Sequence, residues 1–121
     1  MLAEKARVLQ PQIARWLSEQ QRDRVVLEGE GFEPSIVREL DPALDVRAVF
    51  IVELDPTRLR ATLGGRSKSF HALDADEQTA VVMMDALYNR RILEEARVHN
   101  QPWLFSQPWA TLVARVRSLI E

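Results

Sequence analysis

Apolar residues in the first twenty positions of the chain recur at helical spacing. They lie three or four positions apart and would share one helix face: Leu2, Ala6, Leu9, Ile13, Trp16 and Leu17. This spacing predicts an amphipathic helix over residues 2–20. Pro11 lies inside it and lacks a backbone N–H group, so we expect a kink near this residue or two shorter helices.

Three later segments have the apolar character of strands. Residues 24–29 read Arg-Val-Val-Leu-Glu-Gly, which suits a strand buried on both faces. Residues 46–54 are nearly continuous in apolar character and rich in β-branched side chains, so they predict the strongest strand. Residues 102–105 predict a third, short strand.

Helix signals stand between and after these strands. Pro34 fits the first turn of a short helix over residues 34–40, and Asp41-Pro42 ends it because the residue before proline disfavours helical geometry. Asp55-Pro56 predicts the start of a helix that runs to about residue 63 and ends at Gly64-Gly65.

The second half of the chain continues in the same way. Residues 66–73 show no clear period and predict a mobile basic segment. Asp74 and Glu77 match a capping box, which predicts a long helix to about residue 99. Pro108 opens a last helix. Strands that alternate with helices predict a mainly parallel sheet covered by helices, with ligands at the carboxyl ends of the strands.

Composition narrows the class of protein. The 121 residues are 46% hydrophobic and 28% charged, which fits one α/β domain over residues 1–121. A net charge of -2 gives no basic field for nucleic acid. No apolar run approaches the roughly 20 residues that span a bilayer, so we expect a cytoplasmic protein without membrane contact. The chain has no cysteine, and His71 and His99 lack ligand spacing, so no metal site is predicted.

The order of these elements resembles the P-loop kinase superfamily, including small-molecule kinases and AAA-type ATPase-like domains. The match is carried by residues 25–29 followed by Pro34, by residues 48–55 with the next helix and Arg66, and by residues 87–104. The resemblance implies a partial three-layer α/β/α fold with about three strands. However, the chain has no G-x-x-x-x-G-K-[ST] loop, so it looks like the carboxy-terminal half of such a domain.

The resemblance also implies roles for particular residues. Glu28, at a strand end, would position magnesium through water or act as base toward a substrate hydroxyl, with Gly29 and Glu30 beside the substrate. Arg66 and Lys68 would clamp the phosphates of ATP. The simpler alternatives are a structural carboxylate pair for Glu28, a solvated Glu30 and a solvated basic loop. ATP and Mg²⁺ are the cofactors that the intact family domain would use.

A second function stays open beside phosphoryl transfer to a small molecule. A shortened domain of this kind could instead be a non-catalytic interaction or regulatory module, and the chain could also be a fragment of a longer parent. In this superfamily the central strand of the sheet precedes everything seen here. Residues 24–28 therefore either pair directly with residues 46–54 or leave a gap with unpaired strand edges. Unpaired edges predict a homo-oligomer formed through an exposed sheet edge.

Overall fold

The computed structural model describes residues 2–20, 24–40 and 42–121, and it combines helices with a small sheet. In chain order the elements are α1 (Leu2–Glu19), α2 (Pro34–Glu39), β1 (Phe50–Val52), α3 (Pro56–Arg66), α4 (Lys68–His71), α5 (Ala75–Val98), β2 (Trp103–Phe105) and α6 (Trp109–Ile120). Helices predominate. The α/β class is therefore confirmed at the level of mixed helix and strand with a parallel sheet.

The long helix α5 is the central support of the fold. Its predicted capping box is confirmed: the Asp74 carboxylate accepts from the Glu77 N–H at 2.8 Å, and the Asp74 N–H donates to Glu77 at 2.9 Å. These two bonds satisfy amide groups that have no partner within the helix. Packed around α5 are α2, α3 and β1, so one well-capped helix holds together elements that are far apart in sequence.

The sheet consists of β1 and β2, paired in parallel with Phe50 opposite Trp103 and Val52 opposite Phe105. The Phe50 N–H donates to the Pro102 carbonyl at 3.0 Å, and the Ser106 N–H donates to the Val52 carbonyl at 3.0 Å. In a parallel ladder, alternate residues face opposite neighbours. Phe50 and Val52 therefore bond to β2, while the N–H and C=O of Ile51 point to the other flank.

Two apolar clusters form the core. The first joins the sheet to α5 and consists of Phe50, Val52, Ile92 and Leu93, with Phe32, Val37 and Trp103 among the residues packed against it. The second joins α3, α4 and α5 through Leu59, Phe70 and Val82. The strand prediction over residues 46–54 is correct in place but too long, since only the three residues opposite β2 form a ladder.

The prediction of a strand at residues 24–29 is wrong. These residues have no regular secondary structure, and within the described part of the chain no backbone group of residues 24–31 makes a backbone hydrogen bond. Val26 is 95% exposed. A strand needs a neighbour for its N–H and C=O groups, and the described residues supply none here. The sheet accordingly has two strands among the described residues rather than three.

The structure also corrects the segment around Gly64 and Gly65. Helix α3 begins as predicted, with the Asp55 carboxylate accepting from the Thr57 N–H at 2.8 Å, but it continues through both glycines to Arg66. Residues 66–73 are not an irregular segment, because α4 forms there. Ser67 separates the helices: its N–H donates to the Leu63 carbonyl at 3.0 Å and its hydroxyl accepts from the Phe70 N–H at 3.2 Å.

Two remaining expectations concern helix continuity. Helix α1 runs past Pro11 as a single helix rather than as two. Helix α2 ends at Glu39, and Leu40 has an extended backbone. The predicted stop signal lies partly at Asp41, which is outside the described residues. Among the described helices, none combines the length and the apolar character needed to cross a membrane.

Candidate active site at the carboxyl end of β1

A large open cleft separates the loop of residues 25–32 from the unpaired flank of β1. Its volume is about 1020 Å³. Apolar side chains form much of its walls, including Val25, Leu27 and Ile51. Glu30 and Arg66 both act on the Asp85 carboxyl, and we call the part of the cleft around Asp85 its charged end. The charged residues that line the whole cleft are Glu28, Glu30, Asp45, Arg47, Glu53, Arg66 and Asp85. Clefts at the carboxyl ends of parallel strands are the usual ligand sites of α/β folds.

The loop that carries Glu28 and Glu30 is shaped by two glycines. Gly29 has φ of 155° and Gly31 has φ of 90°, values that L-residues with a Cβ rarely adopt. At Gly31 a Cβ would also lie 3.3 Å from Leu9 Cδ1, so the missing side chain lets α1 approach the loop closely. The loop is thereby bent so that Glu28 and Glu30 both line the cleft.

Asp85 on α5 lies close to a carboxylate, Glu30, and to a guanidinium, Arg66. Burial raises the pKa of the Asp85 carboxyl above its ordinary value, the Glu30 carboxylate raises this pKa further, and Arg66 lowers it. The structure therefore brings Glu30 and Arg66, which are far apart in sequence, close enough to act on one carboxyl group. This arrangement mixes acids with one guanidinium, as expected for a site that handles a charged ligand.

Glu53, the first residue beyond β1, is held in a fixed position. Its carboxylate accepts from the Ser106 hydroxyl at 3.0 Å and from the Asp55 N–H at 3.0 Å, and its side chain is 12% exposed. Its own N–H donates to Asn89 Oδ1 at 2.9 Å. These bonds join the ends of β1 and β2 to α5. Glu53 therefore lines the cleft mainly as a structural residue that connects these three elements.

A second polar cluster is built around Arg91 on α5. Arg91 contacts Glu33 at 3.3 Å and Glu95 at 3.1 Å. Burial, followed by the nearby Glu95 carboxylate, raises the pKa of Glu33, and Arg91 partly offsets the rise. Tyr88 lines the cleft, and burial is the main cause of its raised pKa. Among the described residues its buried hydroxyl has no hydrogen-bond partner. This cluster ties α2 to α5.

Four of the five site residues expected from the sequence meet at the cleft. Glu28, Gly29, Glu30 and Arg66 all line it. Lys68, at the start of α4, is not among the lining residues. Sequence reasoning missed Asp85 and Asn89, although their four-residue spacing places them on one face of a helix. It also gave no role to Glu53 and Ser106, which directly follow β1 and β2.

The donor set can be compared with a magnesium-bound phosphate. Mg²⁺ is usually held by one or two carboxylates, waters and substrate phosphates, and Glu28 and Glu30 could supply such carboxylates. Arg66 offers the fork of N–H donors that suits phosphate oxygens. The types of side chain present therefore suit a phosphate group bound to Mg²⁺. No group of three or more His, Cys, Asp or Glu side chains suited to a metal occurs among the described residues.

No protein-family profile, curated protein or solved structure matches this chain.

Proposed function

We propose that this chain carries part of a phosphoryl-transfer site, namely its carboxylates and an arginine. In this site ATP with Mg²⁺ would donate a phosphoryl group to the hydroxyl of a small molecule. One observation supports the proposal: Arg66 lines the same cleft as Glu28 and Glu30 at the carboxyl end of β1. Glu30 and Arg66 also lie close enough to Asp85 to shift the pKa of its carboxyl group. Phosphoryl transfer depends mainly on positioning and charge stabilisation, and these are the properties that such an end of a cleft can provide.

The residues take distinct roles in this proposal. Arg66 binds phosphate oxygens, and the role goes to Arg66 rather than Lys68 because only Arg66 lines the cleft. Glu28 accepts the proton of the acceptor hydroxyl or holds a magnesium-bound water. Gly29 and Glu30 contact the acceptor. Glu53 keeps the strand ends in place through Ser106 and Asn89.

The phosphate-binding loop is part of the proposal but not of this sequence. The 121 residues contain no G-x-x-x-x-G-K-[ST] motif, so polypeptide outside the sequence would supply it and complete a three-layer α/β/α fold. The chain alone is therefore expected to bind nucleotide weakly and to transfer no phosphate. A cytoplasmic setting, where ATP and Mg²⁺ are abundant, belongs to the same proposal.

The test is a titration of the ¹⁵N-labelled chain with ATP and Mg²⁺, followed by amide chemical shifts. We expect a Kd on the order of 1 mM, equivalent to about -4 kcal/mol, with the largest shifts at residues 28–31 and around Arg66. Arg66→Gln should weaken binding about tenfold, because a charge-assisted hydrogen bond contributes about 1.5–3 kcal/mol. Arg117→Gln is the matched control, since Arg117 pairs with Glu121 on α6 and does not line the cleft.

Three results would oppose the proposal. One is an absence of shifts at about 10 mM nucleotide, roughly ten times the expected Kd. Another is a set of shifts that lies away from the cleft. The last is equal weakening by Arg66→Gln and Arg117→Gln, which would indicate a general loss of positive charge rather than a phosphate contact.

A non-catalytic interaction module is the second candidate. The observation that favours it is the combination of an unpaired β1 flank with residues 24–31, whose backbone groups have no backbone partner in the described chain. Such groups are available for pairing with another polypeptide. A chain that associates with itself while ignoring ATP and Mg²⁺ in the titration would support this candidate over phosphoryl transfer.

A further inference from the structure

The two walls of the cleft each present backbone groups without a partner. On one wall, Ile51 directs its N–H and C=O away from β2, and its side chain is 46% exposed. On the other wall, residues 24–31 make no backbone hydrogen bond within the described chain. Exposed, unpaired strand edges invite pairing with another chain. The cleft therefore has a pairing surface on both sides.

The space between these walls is lined by apolar residues on both sides. Val25 and Leu27 on the loop side, and Ile51 on the β1 side, all face the cleft. Adjacent strands lie about 4.7–4.9 Å apart, so one strand that pairs with both walls needs flanks about 9.5 Å apart. An occupant with apolar side chains could thus hydrogen-bond on both sides and cover apolar surface.

The chain itself contains a segment suited to this position. Residues 24–28 read Arg-Val-Val-Leu-Glu. If two copies of this segment run antiparallel with Val26 opposite Val26, each Arg24 lies opposite Glu28 of the second copy. Opposite charges at directly facing positions stabilise an antiparallel pair, whereas like charges destabilise it. The segment is therefore complementary in charge to itself.

We propose that two copies of this chain associate by placing residues 24–28 of each copy in the cleft of the other. The resulting strand order is β2, β1, the segment of the second copy, the segment of the first copy, then β1 and β2 of the second copy. The two-fold axis passes beside Val26. Each cleft receives one strand, each segment gains a neighbour on both sides, and the interface is closed, as in most homodimers.

This arrangement accounts for the exposure of the segment in a single copy. Val26 is 95% exposed and Leu27 is 45% exposed, and both would be covered at the centre of the dimer. The proposal does not depend on nucleotide binding, because its evidence is the unpaired backbone and the charge pattern of residues 24–28. The segment of the second copy and ATP with Mg²⁺ would occupy the same cleft, so the two are alternative occupants. The association tests are therefore run without nucleotide, and the ATP titration is repeated on Arg24→Glu, in which facing like charges disfavour the dimer. Failure of one proposal can then be told from failure of the other.

The first test uses a single introduced cysteine, since the chain has none. In Val26→Cys the two side chains would face each other across the axis with Cβ atoms about 4.5–5.5 Å apart, close enough for a disulfide after small adjustments. We expect oxidation to give covalent dimer at least about ten times faster than in Val113→Cys. Val113 is the control because it is also exposed, at 71%, but lies on α6. Equal rates would overturn the proposal.

The second test reverses the charges at the ends of the segment. By sedimentation at about 100 µM, above the micromolar Kd of weak interfaces, we expect the unaltered chain to be a dimer. Arg24→Glu or Glu28→Arg alone should weaken dimerisation at least about tenfold, because like charges then face each other. The double variant should restore it, and circular dichroism should show the same helix content in all four proteins.

Two outcomes of the sedimentation series would contradict the proposal. A monomer at about 100 µM would show that the unpaired segments do not associate at concentrations where weak interfaces form. A dimer that withstands both single reversals, or that the double reversal fails to restore, would place the interface elsewhere on the chain.

Discussion

The two flanks of β1 differ in almost every respect. On one flank, β2 pairs with it, and Trp103 and Phe105 stack edge to face with ring centroids 5.2 Å apart. On the other flank lies the cleft, with residues 24–31 on its far side. Both flanking segments are short and apolar, yet only one became a strand.

The difference lies in how each segment is held beside β1. The approach to β2 is fixed by the end of α5, where the Gln101 N–H donates to the Ala96 carbonyl at 2.8 Å, and Arg97 lies over the Trp103 ring at 5.3 Å. Ser106 then bonds to Glu53. Within the described part of the chain, residues 24–31 make no comparable hydrogen bond to β1. An apolar sequence therefore provides the capacity for a strand, while the neighbouring elements decide whether it pairs.

Proline substitution should give the largest contrast between the flanks. Leu104→Pro removes an N–H that the register directs at the Phe50 carbonyl of β1. We expect a loss of about 3 kcal/mol, the upper end of the cost of leaving a buried acceptor unsatisfied, and extensive unfolding. Ile51→Pro removes an N–H on the open flank and should cost markedly less, as prolines are tolerated at strand edges. Urea unfolding followed by circular dichroism, at protein concentrations too low for association, provides the measurement. Equal losses would show that the open flank is paired.

Side-chain truncation should give a smaller contrast. Val52 is 1% exposed, so Val52→Ala should lower the free energy of unfolding by about 2 kcal/mol through lost burial and a residual cavity. Val26→Ala removes the same atoms from a side chain that is 95% exposed. In the dilute monomer it should change the free energy of unfolding by less than about 0.5 kcal/mol. Urea midpoints of the two variants test this. A Val26→Ala loss as large as that of Val52→Ala would mean that the segment is packed.

The smallest effect is expected at Asp85, which lines the cleft on the open flank. The pKa of Asp85 is raised above its ordinary value of 3.8, so the folded state binds this proton more tightly than the unfolded state does. The free energy of unfolding therefore falls as the pH rises from 3.8 through the raised pKa. Asp85→Asn removes this cost, so it should stabilise the chain near pH 7 by less than about 1 kcal/mol, given partial exposure. The gain should shrink as the pH falls toward 4.

The control for this prediction is Asp76→Asn. Asp76 lies in the first turn of α5, where a negative charge is favourable, so its removal should cost about 0.3–1 kcal/mol rather than stabilise. Thermal melts across the pH range compare the two variants. If Asp85→Asn destabilised the chain at pH 7 as Asp76→Asn does, the Asp85 carboxylate would have a favourable partner, such as Arg66, that outweighs burial.

The parts of the fold that sequence predicted are those decided locally. Asp55 and the pair Asp74 and Glu77 mark helix starts because their side chains bond to amides two or three residues away. The end of α3 was mislocated, since Gly64 and Gly65 can remain helical and the stop comes from Ser67. Helix α4 was missed because its anchor, the buried Phe70, packs against Leu59 and Val82.

The same division applies to the candidate site. Glu28 could be selected from the sequence because an acid ends an apolar run, and Arg66 because it follows the strand and helix that resemble those of P-loop kinases. Asp85 could not, because its importance depends on the packing of α3 against α5, which brings Arg66 near it. Long-range packing leaves no local mark on the sequence around the residue that it affects.

Helix α5 contributes to both apolar clusters, Val82 to one and Ile92 with Leu93 to the other. The two clusters therefore cannot separate without melting the helix between them, and we expect them to unfold in one cooperative step. In native-state hydrogen exchange, the amides of the middle of α5 should exchange last, at a rate set by global unfolding. The amides of residues 24–31 should exchange within the dead time in the dilute monomer, and their slowing with rising protein concentration would report the formation of a dimer directly.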